Sequence, residues 1–190
     1  MGVLMRATRA VMLFVSISAC ADITPVPPIL PADALPGMES EVAAVDATVL
    51  ARDALDAAEL DRLLDAAGFL SGRERTFSGP GERFSLAVTR VLVFASSDGA
   101  ASYVGWLRDH PEDLLGRAQR LEPLELPGEP FLLVHMPGGC CPKEVPIYLS
   151  AWQRGSTVMF LRASGRQADP GAVQELAAEL DGVVKADVDA

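Results

Sequence analysis

What this sequence lacks first is any signature of a catalyst or a cofactor cradle. It contains no Gly-x-Gly-x-x-Gly, no phosphate-loop Gly-Lys-Ser/Thr, no His-Glu-x-x-His, no Gly-x-Ser-x-Gly and no Cys-x-x-Cys. Its two histidines, His110 and His135, are too few for a three-histidine metal site. Lysine is nearly missing, with Lys143 and Lys185 alone, and 16 Lys and Arg face 26 Asp and Glu, a formal net charge of −10. A surface of that sign repels phosphate backbones and offers no basic patch for counterion release, so nucleic acid is not expected as a partner. A long hydrophobic run is missing too. The apolar stretch from Ala10 to Ala19 is about half of the roughly 20 residues that a membrane-spanning helix needs.

That short stretch has a different layout. Arg6 and Arg9 precede it and it ends in small residues, the arrangement of a removable export signal over residues 1–19. Met1-Gly2 does not continue into a myristoylation motif, because Arg6 stands where Ser or Thr is required. At its end, Ile17-Ser18-Ala19-Cys20 resembles the lipobox of bacterial lipoproteins. The resemblance implies that Cys20 is diacylated and becomes the first residue of the mature chain, a membrane partner through lipid. Each buried acyl methylene contributes about 0.8 kcal/mol, so two chains make a stable tether where one is marginal. Ordinary cleavage after Ala21 is the alternative, since Ala19-Cys20-Ala21 also fits the small-x-small rule.

Residues 20–40 follow as a linker. Pro25, Pro27, Pro28, Pro31 and Pro36 remove amide donors and disfavour both helix and sheet. At about 3.1 Å per residue in a polyproline conformation, such a spacer reaches roughly 60 Å; slack without a spacing role fits as well. Loss of the signal leaves 14 basic against 26 acidic residues, a mature net charge of −12. One globular domain over 41–184, with a flexible tail at 185–190, fits the remaining length and the 49% hydrophobic content.

Within it, Asp56-Ala57-Ala58-Glu59 has the form of a capping box, Leu60, Leu63, Leu64 and Ala67 recur at helical spacing, and Gly68 stops the helix. Residues 41–53 either extend that helix or form a separate turn. Arg73 to Ser78 reads as a short strand, and Arg83 to Ala95 as a second, with a bulge or a second covered face near Arg90, Leu92 and Val93. Ser97-Asp98 caps a helix through about Asp109, with Ala101, Val104 and Leu107 on one side and Tyr103 and Trp106 beside them. Pro111 follows it. Leu121 to Pro130 is irregular and Phe131 to Met136 a strand. Ile147 to Gln153 and Thr157 to Ala163 form a hairpin about Arg154-Gly155. Asp169-Pro170 caps a last helix striped by Val173, Leu176, Ala177 and Leu180. The order α-β-β-α-β-β-β-α predicts an α+β, two-layer domain: an antiparallel or mixed sheet with helices packed on one face.

Gly68-Phe69, Arg75-Thr76-Phe77-Ser78-Gly79, Val93-Phe94-Ala95 and Gly99-Ala100-Ala101-Ser102-Tyr103 are similar to stretches of secreted actinobacterial lipoproteins of unknown function. The resemblance implies an envelope address and brings no catalytic residues with it.

The remaining chemistry is modest. His110, at a helix end before Pro111, reads as a surface histidine facing the helix dipole. Glu112-Asp113 and Glu122/Glu125 are carboxylate pairs with nothing in their spacing to raise them above solvated surface. Gly138-Gly139-Cys140-Cys141-Pro142 is the unusual feature. In an oxidising exterior Cys140 and Cys141 pair most simply as a vicinal disulfide. Adjacent Cα atoms about 3.8 Å apart strain that bridge, which makes it a local staple or, being more reducible, a redox element. His135, Met136, Cys140 and Cys141 form a third, weaker reading as a soft-metal site for copper or zinc. The expectation is an envelope lipoprotein on the outer face of the cell membrane. It would need no cofactor and would act as a non-catalytic module for a small ligand or envelope protein. The alternative is a thiol redox or soft-metal protein centred on Cys140 and Cys141.

Overall fold

Local signals start and stop the helices as the sequence implies. The Asp56 carboxylate accepts a hydrogen bond from the Glu59 amide at the head of one helix, and Gly68, at φ 69°, ends it in the left-handed conformation that glycine adopts without strain. Asp169 caps the last helix through the Ala172 amide, with Pro170 in its first turn. The third capped helix begins at Ser96, whose hydroxyl accepts from the Gly99 amide. A Cβ on Gly99 would sit 2.0 Å from the Ala67 carbonyl oxygen, so only glycine lets this helix start against the end of the earlier one.

The computed structural model describes residues 26–52, 54–111, 115, 117–136 and 145–189. In chain order the elements are β1 Glu39–Val45, α1 Ala47–Arg52, α2 Ala57–Ala67, β2 Phe69–Ser78, β3 Leu86–Phe94, α3 Ser97–Asp109, β4 Gln119–Leu121, β5 Phe131–His135, β6 Ile147–Arg154, β7 Thr157–Ser164 and α4 Pro170–Val188. The strands form one antiparallel sheet in the order β1-β2-β3-β7-β6-β5-β4. β6 and β7 are the expected hairpin, closed by Gly155 and Ser156 between the paired residues Arg154 and Thr157. The α+β class, the single sheet and its antiparallel sense are therefore as the sequence implied.

Several details differ from the expected order. β1 and β4 are additional strands, and residues 41–45 lie in β1 and 47–52 in α1. There is no bulge near Arg90, where β2 and β3 stay in register; the irregularity falls between Phe69 and Ser71. Instead the second covered face holds: Leu92 is buried in one core and its neighbour Val91 in the other.

The helices accordingly divide between the faces, and the sheet is the middle layer. Leu92, Phe94, Phe131, Leu133, Val158 and Phe160 pack under α1, α2 and α3. Met159, Leu161, Trp152, Tyr148, Leu132 and Val91 pack under Val173, Leu176, Ala177, Leu180 and Val184 of α4. Consecutive apolar residues in β5 and β7 are what both-face burial requires, because successive side chains point to opposite sides. On α3, Ala100 takes the buried position beside Tyr103, Val104, Trp106 and Leu107, while Ala101 is exposed.

The proline-rich stretch is not a free spacer throughout. Ile29 and Leu30 are buried in the α4-side core, Leu30 completely, and the Arg73 guanidinium donates to the Pro27 carbonyl. Prolines leave few amides to satisfy, so this segment can lie across a sheet as a strap without pairing into it. At the other end, α4 runs to Val188, through the start of the expected tail.

Candidate ligand-binding face

On the α1 to α3 side, the described helices lie over one end of the sheet. Two cross-strand rows follow from the register. One runs Glu41, Thr76, Val88, Arg162, Leu149, Leu133, Arg120; the other runs Glu39, Ser78, Leu86, Ser164, Ile147, His135. All point to the α1 to α3 side, because Leu92, Phe94 and Phe160, which stand an even number of residues from them on the same strands, lie in that core.

Leu149 and Leu133 are buried there, whereas Leu86, Val88 and Ile147 are only partly buried and belong to neither core. They form a half-buried apolar strip across β3 and β6, outside both cores. β7, the central strand, crosses between them and places exposed Arg162 in the middle. The Arg162 side chain makes no hydrogen bond or ion pair among the described residues. The row above is closed: Arg90 is ion-paired to Glu74 and lies 5.4 Å over the Phe160 ring. The arrangement can hold an anion beside apolar surface; among the described residues it brings no nucleophile and base within hydrogen-bond reach.

The residues singled out from sequence are dispersed. His135 stands at the end of the lower row, its Nδ1 2.9 Å from the Arg117 carbonyl, a bond that makes Nδ1 the donor. Met136 is 59% exposed just beyond it. Cys20, Cys140 and Cys141 lie outside the described residues, as do Glu112 and Asp113; no group of three metal-ligating side chains occurs among the described ones. His110 caps α3, its Nδ1 2.9 Å from the Trp106 carbonyl and its ring stacked on Trp106, so it is a structural end piece. Glu122 and Glu125 are exposed. Sequence reasoning missed Arg162, which reads as an ordinary solvated residue of a strand until the register sets it among Val88, Leu86 and Ile147.

A second depression of about 290 Å³ lies on the opposite side, between Leu35 and Met38 of the strap, Phe84, and Leu176 of α4. Its Arg83 is ion-paired with Glu175, and that hydrogen bond raises the guanidinium pKa further above its ordinary value, so the charge is locally neutralised.

Fold and face together define a class: an antiparallel α+β domain with its sheet sandwiched unequally and no helix, among the described residues, long and apolar enough to cross a membrane. No known family profile and no curated protein sequence matches the chain. Among solved structures, the fold is similar to the extracellular domain of PknH from Mycobacterium tuberculosis, with a TM-score of 0.52 and 15% identity over 78% of this chain and 85% of that one. At that identity the likeness concerns the fold alone.

Proposed function

We propose that this protein is an exported lipoprotein, held to the outer face of the cell membrane through Cys20, whose domain is a non-catalytic binding module. The observation that carries the binding role is the half-buried sheet face of Leu86, Val88 and Ile147, outside both cores, around exposed Arg162. The export signal and lipobox support the address, and so does the likeness in fold to an extracellular domain. In the same reading Cys140 and Cys141 form a local disulfide staple beyond β5, to be seen as an intact mass one pair of hydrogens below the dithiol.

Two measurements test the proposal. Cells expressing the chain should incorporate labelled palmitate at Cys20 and keep the protein in the membrane fraction, and Cys20→Ala should release it; a variant that stays membrane-bound removes the tether. The purified mature domain should bind the uncharged apolar dye Nile red saturably, and Val88→Asp should abolish that binding. Equal dye binding by folded wild type and Val88→Asp would show that the face is not a binding surface.

A further inference from the structure

We infer that the open face takes a dissolved single-chain anionic amphiphile: an alkyl chain along the apolar strip, its anionic head group held by Arg162. The inference rests on reading that face as a binding surface and adds the chemistry of what it binds.

The charge pattern comes first. Arg75, Arg83, Arg90, Arg108 and Arg154 each hold a side-chain partner, and all but Arg75 are paired with a carboxylate. Arg162 has no such partner among the described residues, and neither have Arg117 and Arg166; of these three it is Arg162 that stands among Val88, Leu86 and Ile147, in a mature chain of 26 carboxylates against 14 cations. The same-face carboxylate in its own row, Glu41, stands three strands away across Val88 and Thr76. With strands about 4.8 Å apart, that is roughly 14 Å, far outside hydrogen-bond reach. Glu74, in the neighbouring row, is taken by Arg90. An unpaired guanidinium in an acidic protein is complementary to an anion brought from outside, and its planar fork suits a carboxylate or phosphate.

The dimensions choose among anionic partners. Leu86 and Ile147 flank β7, so the strip is about 10 Å across, and the two rows lie about 7 Å apart along the strands. A stable protein interface covers about 800 Å² on each partner, several times this area. A polypeptide laid here would also need hydrogen-bond partners, and the backbone groups of β3, β7 and β6 are committed to the ladder. An alkyl chain needs none. A bilayer is disfavoured because a mature chain of net charge −12 is repelled by anionic headgroups.

The test uses the mature full-length chain with dodecanoate, dodecyltrimethylammonium and dodecanol as probes below their micelle concentrations, followed by calorimetry. Dodecanoate should bind one to one, and the cationic analogue at least tenfold more weakly. Arg162→Gln should weaken dodecanoate about tenfold or more, while leaving dodecanol and Nile red unchanged, since a hydrogen bond to a charged group is worth that factor. Arg162→Lys should recover part of the loss. Circular dichroism and the melting temperature verify that the variants fold, and exposed Arg162 supports neither core. Dodecanoate binding that ignores Arg162→Gln, or tighter binding of the cation, overturns the inference. So does binding to phosphatidylglycerol vesicles without binding to monomeric dodecanoate. If Nile red binds and dodecanoate does not, only the ligand chemistry fails; if neither binds, the binding face itself fails.

Discussion

The two faces of the sheet share the same strands and differ in what covers them. On one side α4, 19 residues long, spans roughly 28 Å and meets the strap that carries Ile29 and Leu30, so the core runs unbroken from Phe77 to Val134. On the other side α1, α2 and α3, of 6, 11 and 13 residues, crowd one end and leave Leu86, Val88 and Ile147 outside any core. Both sides hold a buried core, but only the α4 side is covered along the whole width of the sheet. That division leaves the proposed binding surface on central strands without exposing either core.

The comparison breaks most visibly at Trp152. Its side chain is fully buried on the α4 side, its indole N–H donates to Asp181 Oδ1 at 3.2 Å, and the same carboxylate receives Arg154. The hydrogen bond to Asp181 raises the Arg154 pKa above its ordinary value, so the guanidinium keeps its charge. Trp152→Ala empties the centre of that core, and should cost about 3 to 5 kcal/mol by urea denaturation. A loss below about 1 kcal/mol would mean that the α4 face is not the main source of stability.

Leu30→Ala asks whether the strap belongs to that face. A completely buried leucine predicts a loss of about 2 to 4 kcal/mol and earlier proteolysis at the proline-rich stretch. A free tether predicts no change in the urea midpoint. On the open face, Val88→Ala should cost under about 1 kcal/mol, because Val88 is only partly buried, and should weaken Nile red. A cost like that of Leu30→Ala would mean something closes over the strip.

Much of the fold was legible because its signals are local. Asp56 with Glu59, Gly68, Asp169-Pro170 and Gly155 act within a few residues of themselves, and the structure uses each as a cap or turn. β1 was not legible: Glu-Ser-Glu-Val-Ala-Ala-Val has a single buried residue, Val45, and exists as an edge because β2 offers it a ladder. β4 is three residues long and is likewise made by its neighbour. The strap was hidden because prolines signal extension equally well whether the segment is free or docked. The continuous apolar runs Phe131 to Val134 and Val158 to Leu161 carried the evidence for two covered faces, which helix stripes alone do not reveal. The open face depends on register, and no spacing in the chain brings Leu86, Arg162 and Ile147 together.

The smallest effect sharpens the comparison from the covered side. Tyr148 is buried beneath α4, and burial first, then the nearby Asp169 carboxylate, raises its phenol above the ordinary value of 10. The folded chain thus keeps the proton where the unfolded chain releases it. This contribution is complete below pH 10 and is lost as pH rises through the folded value, because ionisation then favours the unfolded chain. Urea midpoints measured from pH 8 to 11 should therefore fall more steeply for wild type than for Tyr148→Phe, by a few tenths to about 1 kcal/mol. Tyr103, on the other face, is common to both proteins and cancels in the difference. Parallel curves would mean that water reaches Tyr148, and hence that the α4 face is no better sealed than the one that carries Arg162.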